Sequence, residues 1–184
     1  MRILLTRPRT ALAASITAAA LIATVLIRGQ FAGPEQIMQS RGGYGIVPYE
    51  LAFTARQADT ILSAWGAEGQ EAARRSLLVD FAFMPAYATL FAGITLLVAR
   101  AARGQLQSVG LMLAPLQYVA ALLDALENVM LLSLLGTQGA VPTLPPLAAG
   151  LAASIKFLIL TLALIYWLAA GGAALLRLIQ RPAA

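Results

Sequence analysis

The sequence has 184 residues, of which 60% are hydrophobic and 11% charged, and it contains no cysteine and no histidine. With a mean hydropathy of +0.79, this composition is typical of an integral membrane protein and excludes a disordered chain and a disulfide-stapled secreted domain. Without thiolate or imidazole ligands we expect no metal site and no cofactor, and the net charge of +5 comes from scattered arginines that do not indicate a nucleic-acid partner.

Four apolar segments predict an all-α fold, a polytopic membrane protein with a four-helix transmembrane bundle that forms a single membrane domain over residues 1–184. The segments cover residues 11–27, 77–99, 109–135 and 147–172. The first is longer than a signal-peptide core and no small-residue cleavage site follows it, so we expect a retained helix. Ser108 is the predicted N-cap of the third helix and Gly136 its stop, and the fourth helix is predicted to begin after Pro145 and Pro146.

The distribution of arginine predicts the orientation of the bundle, because basic residues are retained on the cytoplasmic side. The N-terminus, the loop 100–108 and the C-terminal tail hold only basic charges: Arg2, Arg7, Arg9, Arg100, Arg103, Arg177 and Arg181. The first outer loop, residues 28–75, carries five arginines and five acidic residues. We therefore expect both termini to be cytoplasmic and the chain to lie in the inner (plasma) membrane of a bacterial cell, with the lipid bilayer as a partner.

The outer loop 28–75 divides into two parts. Its first half, Gln30 to Tyr49, contains several glycines and prolines and predicts irregular chain. From Glu50 onward, apolar residues recur at helical spacing and predict an amphipathic helix that includes Leu51, Phe53, Ala55, Ala58, Ile61, Leu62 and Trp65. Two roles are predicted for this helix. It lies on the membrane surface with Trp65 at the level of the headgroups, or it forms a lid over a cavity between the spans.

Four ionisable side chains lie inside the predicted spans, where each costs about 2.5–3.5 kcal/mol at mid-membrane. They are Asp80, Asp124, Glu127 and Lys156. This cost leads us to expect them to face the bundle interior and one another, in the outer half of the membrane. Because Lys156 is the only lysine and faces three acids, at least one carboxyl group must be protonated, solvated or matched by something that the chain does not encode.

Further polar residues extend this group into a predicted ligand-binding pocket. Asp124, Glu127 and Asn128 are spaced i, i+3 and i+4, which places them on one helix face. Tyr87 lies two turns from Asp80 and supplies a hydroxyl group. The predicted ligand-binding residues are Asp80, Tyr87, Asp124, Glu127, Asn128 and Lys156, and the sequence assigns no catalytic residue. In the alternative interpretation, the same charges form a structural ion-pair cluster that only holds the spans together.

Several of these features occur together in one known family. The chain combines four spans, a long first outer loop with a helical segment, Asp80 followed by Pro85 in the second span, and acidic residues in the third. In this respect it resembles the EXPERA module of the sigma-2 receptor and the emopamil-binding sterol isomerases. The resemblance implies a lipid-accessible acidic cavity, since acidic residues in that family bind amine or sterol-like ligands inside the membrane. The isomerase members use histidine, which this chain lacks.

The predicted function is binding of a small amphipathic or cationic ligand, a lipid or protons in an outward-facing pocket of acidic residues and lysine. Such a protein fits the role of an accessory subunit of a larger membrane complex, with a membrane partner or a second copy of itself. Two alternatives are a proton-coupled small transporter and a membrane enzyme that acts on a lipid or isoprenoid. In the enzyme, an acidic residue is the acid–base group and Lys156 the electrophile or proton donor. The sequence leaves open whether the protein is an enzyme.

Overall fold

The computed structural model is all-helical over the residues that it describes, which are 3–6, 8–137 and 139–179, with side chains described up to Ala173. The helices are α1 (Ile3–Thr6), α2 (Thr10–Arg28), α3 (Ala32–Gly42), α4 (Ile46–Glu50), α5 (Ala55–Ala101), α6 (Gln105–Leu134) and α7 (Leu144–Ile179). A 3₁₀ turn, Gly29–Phe31, joins α2 to α3. Of the arginines behind the predicted orientation, Arg2, Arg7, Arg181 and the side chain of Arg177 lie outside the described part of the chain.

Four helical segments are long and apolar enough to cross a membrane, namely Thr10–Gly42, Ala55–Ala101, Gln105–Leu134 and Leu144–Ala173. Three of the predicted spans fall inside these segments, and the third, 109–135, extends one residue past Leu134, so the prediction of four apolar helices is confirmed. Their predicted starts differ from those observed. Gly104, and not Ser108, is the N-cap of α6, and α7 starts at Leu144, before Pro145 and Pro146. Both prolines fit in the first turn of α7, because backbone N–H groups there have no helical acceptor.

Helix α5 is the central element of the bundle. It packs against α2 and α3 on one side and against α6 and α7 on the other, and α6 also packs along α7. Small residues allow the close approach of neighbouring helices. A Cβ atom at Gly93 of α5 would collide with Thr17 Oγ1 of α2, and a Cβ atom at Gly110 of α6 would collide with the Tyr166 hydroxyl of α7. Over the described residues, α2 and α7 do not form an extensive pair, which leaves space between them.

The predicted irregular chain over Gln30 to Tyr49 is wrong, because the structure has α3 and α4 there. The residues that predicted a loop lie at helix ends instead. Pro34 lies in the first turn of α3, where its missing N–H costs no helical hydrogen bond, and Gly43 ends α3 with a φ of 77°. Gly45 then precedes α4 in extended conformation. Glycine and proline are equally compatible with a loop and with short helices that begin and end abruptly.

A helix is present over the later part of the predicted amphipathic segment, from Ala55, the start of α5, to Gly66, where a φ of 58° interrupts the helical geometry. Leu51 and Phe53, which the prediction included, lie before α5 in non-helical chain. The predicted position of Trp65 at the membrane surface is wrong. Its side chain is 1% exposed, its indole N–H donates to the Tyr44 carbonyl oxygen at 2.9 Å, and its ring contacts that of Tyr49 at 5.0 Å between centroids. The apolar face of this helix is therefore covered by residues of the preceding segment, such as Met38 of α3 and Tyr49 of α4, and by Leu131 of α6.

Candidate functional site: a buried charge cluster beside an aromatic cavity

Lys156 on α7 lies among three carboxyl groups, and we refer to Glu50, Asp124, Glu127 and Lys156 as the Lys156 cluster. The Lys156 Nζ atom is 2.8 Å from Asp124 Oδ1, 2.8 Å from Glu127 Oε2 and 3.7 Å from Glu50 Oε2. All four residues are buried, with 9% exposure or less. Grouping like charges away from water costs free energy unless an opposite charge or a bound proton neutralises them. One ammonium group cannot neutralise the charge of three carboxylates.

Hydrogen bonds connect α5 to this cluster. The Tyr87 hydroxyl donates to Asp124 Oδ2 at 2.8 Å, so both oxygens of Asp124 accept a hydrogen bond. The Asn128 amide nitrogen donates to Asp80 Oδ2 at 2.9 Å and to the Leu77 carbonyl oxygen at 3.1 Å. The six predicted residues therefore form two bonded groups on α5, α6 and α7: Tyr87, Asp124, Glu127 and Lys156 in one, and Asp80 with Asn128 in the other. The two groups adjoin at Glu127 and Asn128, which are neighbours in α6.

The sequence does not predict Glu50 as a site residue, because Glu50 lies in the loop 28–75 and outside the four predicted spans. It reaches the cluster because α4 packs onto α6 and α7. The Tyr49 hydroxyl donates to the Leu131 carbonyl oxygen at 3.0 Å, and the Phe53 ring packs so closely on Gly150 that a Cβ there would lie 2.7 Å from a ring carbon. No periodicity or motif in the sequence signals this contact, since it depends on how the loop folds back.

The environment of Glu50 favours its neutral form. Burial raises the pKa of the Glu50 carboxyl group above the ordinary value for glutamate, and the neighbouring Asp124 carboxylate acts in the same direction. The Lys156 ammonium group opposes this effect, but its nearest contact with Glu50 is the longest of the three in the cluster. Glu50 is therefore the member of the cluster that the ammonium group stabilises least by direct contact.

A cavity of about 970 Å³ adjoins the cluster, between α2, α5 and α7, with α3 and α4 at one end. Its charged lining residues are Arg28, Glu35, Glu50, Asp80, Asp124 and Lys156. Its apolar lining includes Val25, Phe31, Ile46, Val47, Leu77, Phe83, Phe91, Phe157 and Leu160. From Asp80 to Phe91, the lining extends about 16 Å along α5. A cavity of this size lies within the range that holds drug-sized ligands.

The predicted site residues divide into two groups relative to the cavity. Asp80, Tyr87, Asp124 and Lys156 line it, whereas Glu127 and Asn128 do not line it and are 0% exposed. Among the described residues, no hydrogen-bond partner is found for Glu127 Oε1 or Asn128 Oδ1. Glu127 Oε2 makes its close contact with Lys156 outside hydrogen-bond geometry. In the same ranges, no three acidic side chains are arranged to hold a metal ion.

Aromatic rings form a continuous row along the cavity. Phe83, Tyr87 and Phe91 follow one another at four-residue spacing on α5, with ring centroids 5.5 Å and 6.3 Å apart. Phe31 extends the row at one end, 5.3 Å from Phe83. We refer to these four residues as the aromatic row. Aromatic faces attract cations and also pack against flat apolar groups.

Comparison of this chain with models of protein families, with curated proteins and with solved structures found no match.

Proposed function

We propose that the cavity binds an amphipathic molecule with an apolar body and a cationic group. The observation that carries this proposal is that Asp80, which has no ion-pair partner among the described residues, and the aromatic row line one cavity between the apolar helices. A lipid and a small ligand dissolved in the bilayer share this chemistry.

The charges of the cavity support a positive ligand. Asp124 and Glu127 lie closest to the ammonium group of Lys156, whereas Asp80 accepts only the amide hydrogen bond of Asn128. Within the described residues, neither Arg28 nor another basic side chain makes an ion pair with Asp80. A carboxylate that is half-buried in an apolar region favours a positive group beside it, because water solvates it incompletely.

The aromatic row supports a ligand with an apolar or ring-containing body. Phe83, Tyr87 and Phe91 are on the same face of α5 as Asp80, so a ligand that pairs with Asp80 lies along their faces. Cation–π attraction is worth about 0.5–2 kcal/mol for each suitable ring. The lysine of the cavity already uses this chemistry, since its Nζ lies 4.7 Å from the centroid of the Phe157 ring.

The space between α2 and α7 is the proposed entry route from the bilayer. Residues of both helices line the cavity, yet the two helices are not an extensively packed pair over the described residues. An amphipathic molecule in the outer leaflet would enter sideways through this gap, with its apolar part leading toward Phe91. This route requires the predicted orientation, with α3 and α4 outside the cell and the α5–α6 connection in the cytoplasm.

Single cysteines test this orientation directly, because the native chain has none. Ser40→Cys on α3 and Ser108→Cys on α6 both introduce a thiol at an exposed position. In intact cells, a membrane-impermeant maleimide is expected to label Ser40→Cys and to label Ser108→Cys only after permeabilisation. The reverse pattern would place the cavity on the cytoplasmic side and contradict the proposed entry from the outer leaflet.

Binding is tested with tetraphenylphosphonium, a lipophilic cation whose four rings match the aromatic row. The purified protein in lipid nanodiscs is titrated while an ion-selective electrode follows the free cation, with empty nanodiscs as the blank. We expect saturable binding of one cation per chain, and weaker binding of the neutral triphenylphosphine oxide. Uptake equal to that of empty nanodiscs would contradict the proposed function.

A further inference from the structure

We propose that a cation entering the cavity displaces a proton from Glu50, so that the site exchanges one positive charge for another. This inference rests on the proposed function, because it concerns the same cavity and the same ligand chemistry. It adds a coupling between cation binding and proton release, which ligand binding by itself does not require.

The charge count around Glu50 is the first support. Groups face it from each helix that surrounds this end of the cavity: Asp124 and Glu127 from α6, Lys156 from α7, Asp80 and Tyr87 from α5, Arg28 from α2 and Glu35 from α3. The acids outnumber the basic groups. Among the described residues, Lys156 is the only basic group in contact with the three carboxyl groups of the cluster. The fully ionised cluster would therefore hold uncompensated negative charge away from water, and a proton is the simplest compensation.

The geometry assigns this proton to Glu50 among the three acids of the cluster. Asp124 accepts hydrogen bonds from both Lys156 and Tyr87, an arrangement that stabilises a carboxylate. Glu127 lies 2.8 Å from the ammonium group but outside the cavity lining, where a ligand does not reach it. Glu50 has the longest contact with Lys156 and lines the cavity.

Unpartnered polar atoms give a second, independent indication that the cluster is completed by something else. Glu127 Oε1 and Asn128 Oδ1 belong to fully buried side chains, and both are acceptors without a donor in the described residues. A buried acceptor without a donor costs about 1–3 kcal/mol. A protonated carboxyl group or a water molecule held by it supplies the kind of donor that these atoms lack.

The exchange step balances in charge. The O–H bond of the Glu50 carboxyl group breaks, its proton passes to water at the mouth of the cavity, and the Glu50 carboxylate joins Asp80 in balancing the charge of the incoming cation. One positive charge enters and one leaves, so the buried region keeps the same net charge. Ligand affinity is therefore expected to rise with pH, because protons and the cation compete for Glu50.

Calorimetric titration with tetraphenylphosphonium in two buffers of different ionisation enthalpy measures the protons released on binding. We expect the wild-type protein to release up to about one proton per cation and Glu50→Gln to bind the cation with almost no release. The control variant Glu71→Gln makes the same substitution at an exposed position of α5 that does not line the cavity, and it is expected to behave like the wild type.

The outcomes separate this inference from the proposed function. Binding without proton release in the wild type would overturn the exchange and leave ligand binding intact, whereas no binding at all would overturn both. If Glu50→Gln releases as many protons per cation as the wild type, the assignment of the proton to Glu50 is overturned. If Glu50→Gln does not fold, the wild-type affinity decides. It should rise by up to about tenfold per pH unit across the titration, and a constant value from about pH 5 to about pH 9 would overturn the exchange.

Discussion

Replacing Lys156 with glutamine is expected to lower the free energy of unfolding by about 3–5 kcal/mol, the cost of removing one partner from a buried ion-pair cluster. Lys156 has Asp124 and Glu127 each at 2.8 Å, and it is the only amine of the cluster. Without it, like charges face one another in a region that water does not reach. Protonation of Asp124 or Glu127 removes the repulsion between their carboxylates. The loss of stability should therefore be largest at high pH and become smaller as the pH falls. Unfolding of the purified protein in detergent, followed by circular dichroism, measures the effect.

Two controls show whether this loss arises from charge. The triple variant Lys156→Gln, Asp124→Asn, Glu127→Gln keeps the shapes but removes the charges, and should regain most of the lost stability. Arg75→Gln breaks an exposed ion pair with Glu71 and is expected to change stability by less than about 1 kcal/mol. A Lys156→Gln variant as stable as Arg75→Gln would mean that the cluster does not depend on its ammonium group.

Asp80→Asn is expected to weaken tetraphenylphosphonium binding by about tenfold to a hundredfold, because attraction between the carboxylate and a phosphonium centre about 6 Å away is worth up to about 3 kcal/mol at an effective dielectric constant of about 20. The asparagine oxygen still accepts the hydrogen bond from Asn128, so the fold is expected to be kept. Affinity is measured with the ion-selective electrode in nanodiscs, as for the wild type.

The matched control for this change is Asp59→Asn. It makes the same substitution on the same helix, but at an exposed position away from the cavity lining. The affinity of this variant should equal that of the wild type. Equal losses in the two variants would show that net charge, and not a contact with Asp80, governs binding of the cation.

The sequence predicts the parts of this structure that follow from periodicity and from the cost of burying charge. Apolar length predicts the four helices, and the expense of charge in a membrane predicts that Asp80, Asp124 and Lys156 converge. The i, i+3, i+4 spacing of Asp124, Glu127 and Asn128 correctly places them on one face of α6. These predictions succeed because each depends on local geometry or on a large free energy.

The remaining features depend on how α3, α4 and the chain up to Thr54 pack onto the long helices, and no local sequence pattern predicts this packing. Tryptophan is typical of the membrane interface, but the Trp65 side chain is buried by other residues of the protein. By sequence position Glu50 belongs to the loop 28–75, and it reaches the cluster because Tyr49 of α4 and the following Phe53 pack against α6 and α7. The transporter and lipid-enzyme alternatives concern transport and catalysis, which the geometry of the cavity does not test, so they stay predictions.

The most direct test of the central claim is to locate a bound cation in the protein. Crystals grown in a lipidic phase with tetraphenylarsonium would show the arsenic atom by its anomalous scattering. We predict one arsenic site inside the cavity, between α2 and α7, within about 6 Å of a ring of the aromatic row and on the side of Asp80. Arsenic sites found only on the lipid-facing surface, with none in the cavity, would contradict the account.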